Sequence, residues 1–349
     1  MQVEGGVAAH RERFGAWSGG FWLPECAYRP GLEDELARAG VRAFCVDQTR
    51  MVDNLDHLEP VAAGGTVAVP LDWSTISLVW DDAGYPADPR YRDYHAQTVN
   101  GMRAWANGGR PYDREVALAR AREHGAHFVD QVIGRATEYR TARGRAALVV
   151  CALDTELLGH WWYEGPAWLD AVIEQAESRG LALTTLPAAL ARHEPRQAEV
   201  FESTWGRGKD MHTWDSAEVA DLVWASRESE LRLVAALGAA PLNGHGAAAR
   251  RAARELLALQ SSDWAFMRSR GLAGDYPGER VRNHSRAFGE ALSAIRRSMT
   301  DFRAMNGGGP HSSGERDGRL PLDEHLRGLA PNLELAPLLA ASSAWPGGS

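Results

Sequence analysis

Cysteine and lysine are both scarce in this chain, and no long apolar run interrupts it. Three cysteines, Cys26, Cys45 and Cys151, are too few and too far apart for a disulfide framework. None belongs to a Cys-x-x-Cys pair or a His/Cys cluster, which removes structural zinc from consideration. Cys45 and Cys151 lie in apolar runs, as buried thiols do. Glu4, His10, Arg11, Glu12 and Arg13 break the N-terminus before a signal-peptide length is reached, so the expected location is cytoplasmic. Hydrophobic residues at 44% and charged residues at 24% give a globular balance, with no membrane partner expected. Lysine occurs once, as Lys209, which reflects composition bias rather than mechanism. A net charge of -8 argues against a nucleic-acid partner, and the arginines from Arg250 to Arg303 recur at helical spacing among acids, as on a solvated face.

What is present is enough chain, 349 residues, for one large core or for a core with a helical satellite. Residues 31–40 have helical spacing, with Gly40 placed to end the helix. Three apolar runs, Val41 to Val46, Val67 to Leu71 and Ala146 to Leu153, stop at Asp47, Asp72 and Asp154 respectively. Apolar strands that finish in a carboxylate and alternate with helical stretches predict a parallel α/β architecture, with polar groups at the carboxyl ends of the strands. Helices are predicted from Glu115 to Tyr139 and from Pro166 to Ser178, and a short strand from Leu181 to Thr184. From Ser216 the pattern becomes long helices: Ser216 to Leu237, Ala247 to Met267 and Val281 to Phe302. The expected organisation is therefore an α/β domain over 1–215, a three-helix domain over 216–305 and a flexible tail over 306–349, rich in Gly and Ser from Gly307 to Arg319.

Three segments gather polar groups among aromatic rings. In Trp22-Leu23-Pro24-Glu25-Cys26-Ala27-Tyr28, Pro24 fixes its own φ and restrains Leu23, so Glu25 is presented from stiffened backbone. A surface glutamate, or one paired with an arginine, has the same local look. In Asp154-Thr155-Glu156-Leu157-Leu158-Gly159-His160-Trp161-Trp162-Tyr163-Glu164, acids, a histidine and three consecutive rings follow an apolar run directly. A helix cap is the plainer alternative there. The third segment runs from Ser203 to Trp214 and carries Trp205 and Trp214. Thirteen tryptophans against eight phenylalanines suit sugar subsites, where rings stack on the apolar face of a pyranose. Trp161, Trp162, Trp205, Trp214 and Trp80 are the candidate rings, whereas Trp224 falls in a helix pattern and reads as core. Cleaving a glycosidic bond takes two carboxyl groups, and in retaining enzymes these lie roughly 5 to 5.5 Å apart.

On the Trp22–Tyr28, Asp154–Trp162 and Ser203-Thr204-Trp205-Gly206 motifs, with Gly84-Tyr85-Pro86 and Gln260-Ser261-Ser262-Asp263-Trp264, the chain resembles glycoside hydrolase family 57 and especially its α-1,4-glucan branching members. The resemblance runs from about residue 14 to 303 with the motifs in order. It implies a distorted (β/α)7 barrel, N-terminally incomplete, followed by an all-helical domain. It also implies an α-glucan partner and double displacement with no metal or organic cofactor. Glu25 resembles the family's nucleophile and Asp154 its acid/base. Trp22, Trp80, His160, Trp161, Trp162, Trp205, Trp214, Asp263 and Trp264 are then the expected substrate contacts.

Two departures from the family pattern are visible. No His-Gln-Pro motif precedes Trp22, so the opening barrel strands are expected to be missing, and a separate polypeptide is one way to supply them. Only Gln48 to Gly65 separates the second strand from Val67, which leaves little room for the long tyrosine-bearing loop of branching members. Branching, amylase-like hydrolysis and a non-catalytic glucan-binding role all remain open at this stage.

Overall fold

The computed structural model of the protein describes residues 2–238 and 246–306. The stretch from Gly307 to Arg319 and the tail read above as flexible lie outside these residues. The described residues form two compact units, one of 18–204 and one of 2–17 together with 205 onward. No helix among the described residues is long and apolar enough to cross a membrane.

The first unit is built on a sheet of four strands: β1 (Gly20–Phe21), β2 (Ala43–Val46), β3 (Val61–Ala63) and β4 (Thr66–Pro70), in the order β1-β2-β4-β3. β1, β2 and β4 are parallel, with Phe21 beside Phe44 and Cys45 beside Val69, while β3 is antiparallel to β4. β2 is buried at every position, as an unbroken apolar strand covered on both faces must be. The helices are α2 (Leu32–Arg38), α3 (Trp73–Trp80), α4 (Arg114–Arg143), α5 (Gly165–Ser178) and α6 (Leu186–Ala189). α4 begins where Asp113 accepts the Glu115 and Val116 N–H groups, and it ends at Gly144 with φ of 69°. Phe128, Val129 and Val132 of α4 pack against Trp168 and Val172 of α5. Gly125 permits that approach, since a Cβ there would stand 2.7 Å from Ala171 Cβ. The unclosed sheet followed by helices is the architecture expected of an incomplete (β/α) barrel.

Two expected strands do not form. Ala146 to Leu153 runs beside the sheet without joining it: Leu148 N donates to Leu58 O, in the turn before β3, at 2.8 Å, and Asp72 N, just after β4, donates to Val150 O at 2.9 Å. Leu148 and Val150 pack with Ala43 and Val69, so apolar burial holds the segment without a continuous ladder. Leu181 to Thr184 likewise carries no ladder, and Leu183 points to solvent.

A clamp fastens the end of this unit to β2. The Gln48 side chain stands in for a peptide group: its Nε2 donates to Phe201 O, and its Oε1 accepts Phe201 N–H, both at 2.9 Å. Nε2 also donates to Ser203 Oγ at 3.0 Å. A second polar knot lies under α4, where buried His124 stacks on Tyr85 at 4.3 Å and bonds through Nδ1 to Tyr91 Oη at 2.8 Å. Asp88, at 3.8 Å from His124 Nε2, is occupied by Arg90 and Arg120. Burial, reinforced by the Arg120 charge, pushes the His124 pKa down to about 4.

The second unit is helical among its described residues: α1 (Gln2–Phe14), α7 (Ala220–Gly238), α8 (Gly246–Leu259), α9 (Asp263–Ser269) and α10 (Tyr276–Asn306). Ala249, Ala252, Ala253, Leu256 and Leu259 form one stripe of α8 against Phe288, Leu292 and Ile295 of α10. The helix expected over Ala247 to Met267 is broken at 260–262 into α8 and α9. Trp224 corrects another expectation: it is 69% exposed, because it lies about 200° around α7 from buried Leu222.

Gln48→Ala is expected to destabilise the first unit by about 1–3 kcal/mol, since it strands both polar groups of Phe201, as urea titration will measure. Stability of that unit should also fall as pH drops from about 6.5 to about 4, where the unfolded chain takes up a proton that folded His124 refuses. His124→Gln should flatten that slope in the same titration.

Candidate active site

Because β1, β2 and β4 are parallel, the residues that follow them emerge on one rim: Trp22 to Glu25 after β1, Asp47 after β2, and Asp72 after β4. Glu25 opens no ordinary turn. Leu23 is extended (φ -75°, ψ 134°) ahead of Pro24, as that proline requires, but Glu25 and Cys26 are both left-handed, with φ of 57° and 52°. Such a conformation costs about 1–3 kcal/mol per non-glycine residue and persists only where the surroundings impose it. Here Cys26 N donates to Leu23 O and Ala27 N to Pro24 O, while Tyr28 and Ser203 exchange two backbone bonds of 2.8 and 3.0 Å. Leu23, Cys26 and Tyr28 are buried on either side, which leaves the half-buried Glu25 side chain aimed by a fixed backbone.

Asp154 follows the segment that Asp72 N–H pins beside the sheet, and it opens a short 3₁₀ turn over Thr155–Leu157. Its carboxyl binds a proton more tightly than usual. Burial is the main cause, followed by the charges of Glu156 and Glu25. The two carboxyl groups expected to work together therefore feel each other's charge. A raised proton affinity on one carboxyl of a pair is the asymmetry that lets that one donate while the other attacks.

The neighbouring acids on the rim are engaged by groups of the fold itself. Fully buried Asp47 accepts the Thr49 N–H and hydroxyl through Oδ1 and the Trp73 indole N–H through Oδ2. Asp72 pairs with Arg135 of α4 at 2.8 Å, and its Oδ2 is buried without a hydrogen-bond partner. His57 sits within the field of both acids, and burial lowers its pKa.

The expected sugar contacts divide. Trp22 is exposed directly after β1, at the rim. Trp161 is 50% exposed, and its ring lies 5.0 Å from Tyr94 at 30°. The Arg103 guanidinium also lies over the Tyr94 ring at 4.2 Å, and Tyr94 Oη meets His160 Nε2 at 3.2 Å. Contacts of the Tyr94 ring with Arg103 and Trp161 thus hold Trp161 with half its surface open. Trp162 is a correction: it is 1% exposed and wedged between Tyr91 and Trp168, so it fills the core and offers no face to a sugar. Trp80 ends α3, whose first turn starts at the rim, and is thereby carried about 12 Å from it.

Trp205, Trp214, Asp263 and Trp264 belong to the helical unit. The Trp214 ring covers Gly206, where a Cβ would stand 2.6 Å from it, and its indole N–H donates to Ser262 O at 3.2 Å. Asp263 accepts the Ser261 hydroxyl at 2.8 Å. Trp264 donates to Ala258 O at 2.6 Å and lies 6.5 Å from the His284 ring at 28°. Tyr94, Arg103 and Arg135 escaped the sequence reading. Tyr94 and Arg103 sit in a turn-rich stretch without periodicity, and Arg135 is one arginine among several on α4.

Comparison with known proteins adds an independent line. The model for glycosyl hydrolase family 57 matches residues 1–202, and the model for the C-terminal region of 1,4-alpha-glucan branching enzymes matches residues 227–306. A probable 1,4-alpha-glucan branching enzyme of Mycobacterium tuberculosis is 36% identical over 316 residues, covering 84% of this chain and 58% of that protein. A 1,4-alpha-glucan branching enzyme of Thermococcus kodakarensis is 33% identical over 337 residues, covering 82% of this chain and 49% of its own. The chain thus spans about half the length of these relatives. The crystal structure of a family 57-type branching enzyme from Pyrococcus horikoshii superposes with a TM-score of 0.86 at 27% identity, covering 100% of this chain and 69% of that one. With the family model spanning more than half its residues, the chain belongs to glycosyl hydrolase family 57.

Proposed function

We propose that this chain acts on α-1,4-glucan as a branching enzyme of the retaining type, with Glu25 as nucleophile and Asp154 as acid/base. The observation that carries the reading is the match of residues 227–306 to the C-terminal region of 1,4-alpha-glucan branching enzymes, with the fixed Glu25 turn and the raised proton affinity of Asp154 in support. In the first step the Glu25 carboxylate attacks the anomeric carbon as Asp154 gives its proton to the departing glycosidic oxygen. The glucan segment then rests on Glu25 as an ester. Asp154, now a carboxylate, takes the proton from a glucose 6-hydroxyl, whose oxygen displaces Glu25 and restores it. The fixed left-handed turn under Glu25 supports this role, because attack depends on a nucleophile held in place rather than one that must be ordered during reaction. Trp22 and the stacked Trp161 supply rings for the sugar.

A second reading, hydrolysis, has its own observation. The stretch between β2 and β4 is short and holds a 3₁₀ turn over Asn54–Leu58 and β3, so only residues 47–53 and two short links remain as loop there, little to exclude water from the ester.

Incubation with amylose separates the readings: new α-1,6 linkages are expected, and reducing ends without branches would transfer the assignment to hydrolysis. Glu25→Gln and Asp154→Asn should each lower turnover by roughly a thousandfold or more, and an active Glu25→Gln enzyme removes Glu25 from the mechanism. In Glu25→Gln, Asp154 should titrate at lower pH in a carboxyl-resolved NMR experiment, because a neighbouring negative charge is gone. Tyr94→Ala, which frees Trp161 from its stack, should raise KM about three- to tenfold with kcat nearly unchanged.

A further inference from the structure

At the end of α3 away from the carboxylate rim, the first unit holds an open cleft of about 500 Å³. It lies between the last turns of α3, the Gly84–Tyr85 turn and one face of α4. That volume is ample for small-molecule recognition. Nothing in the proposed mechanism uses it.

The chemistry of its wall is specific. Asp81 and Glu123 are acceptors, and Arg120 is a donor already spread between Glu123 and Asp88 at 2.8 Å each. His127 bonds to Tyr85 Oη through Nδ1 at 2.7 Å. Buried His124 stays neutral above about pH 4. Two carboxylates against one guanidinium make the cleft repel anions, and the guanidinium makes it a poor cation cage. Alternating donors and acceptors of this kind fit a neutral ligand with many hydroxyl groups. The apolar element such a ligand needs stands at the edge: Trp80 is 39% exposed and lies three residues beyond Ser77, which lines the cleft, so the two are neighbours on the surface of α3. An indole face beside fixed hydrogen-bonding groups is the arrangement that holds a pyranose by stacking and orients it by its hydroxyls.

We infer that Trp80 and the Asp81–Glu123–His127 cleft form a second glucan-binding site, about 12 Å removed along α3 from the carboxylate rim. The inference rests on the glucan reading of the chain. It gives the site the work of retaining a long polysaccharide, while a separate stretch of the same or another chain reacts at the rim. Two sites engaging one polymer raise the local concentration of chain ends without any change in the chemistry.

Calorimetric titration with maltoheptaose, in the Glu25→Gln protein so that nothing is consumed, tests this. Adding Trp80→Ala should remove one site from the stoichiometry and leave the remaining binding unchanged. Adding Trp80→Phe instead should keep that site, because a ring is preserved. In native gels containing glycogen, Trp80→Ala and Asp81→Ala should each weaken retention about tenfold. Equal stoichiometry with and without Trp80 overturns the second site and leaves the glucan reading intact. No maltoheptaose binding by either protein overturns both.

Discussion

Parallel pairing of β1, β2 and β4 is the constraint on which the rest of the first unit depends. Parallel strands deliver their carboxyl ends to one side, so Glu25, Asp47 and Asp72 share a rim although 22 and 25 residues separate them. Burial of β2 on both faces fixes that register. A shift by one residue would turn Phe44 and Val46 to the opposite face and take the rim with them. Asp154 joins the rim by a different means, a single hydrogen bond from Asp72 N–H to Val150 and the packing of Leu148 and Val150 on the sheet.

How much of this could be read beforehand depended on whether the controlling interaction was local. Asp47 and Asp72 were legible because each ends an apolar run, and the helices α2, α4 and α5 were legible from their periodicity, α2 also from Gly40 at its end. The Ala146–Leu153 segment has the composition of a strand. Composition does not supply a partner along its whole length, and the segment stays unladdered. Trp161 and Trp162 were equivalent in sequence, since two adjacent rings carry no period. Tertiary packing buries one against Tyr91 and Trp168 and leaves the other open on Tyr94. Trp224 was misread for a related reason: an apolar residue inside a helix pattern still needs the right angular position to reach the core.

The strained turn at Glu25 was beyond sequence reasoning altogether. Pro24 dictates its own φ and the extended shape of Leu23, and both are as expected. Nothing local asks Glu25 and Cys26 to be left-handed. That geometry is imposed by the two bonds between Tyr28 and Ser203 and by burial of Cys26, and Ser203 is in turn steadied by the Gln48 amide. The Glu25 turn is therefore held by a pairing between two motifs, Tyr28 with Ser203, that neither motif reveals by itself.

The Tyr28–Ser203 pairing also sets a clock. Ser203 leaves the ribosome 175 residues after Tyr28, which at ordinary rates of synthesis is on the order of ten to thirty seconds. Throughout that interval the Glu25 turn lacks the strand bridge that bends it, and its backbone is free to relax into unstrained conformations. A nascent chain thus carries the Glu25 turn unbent, and its final geometry is among the last features set in the assembly of the unit.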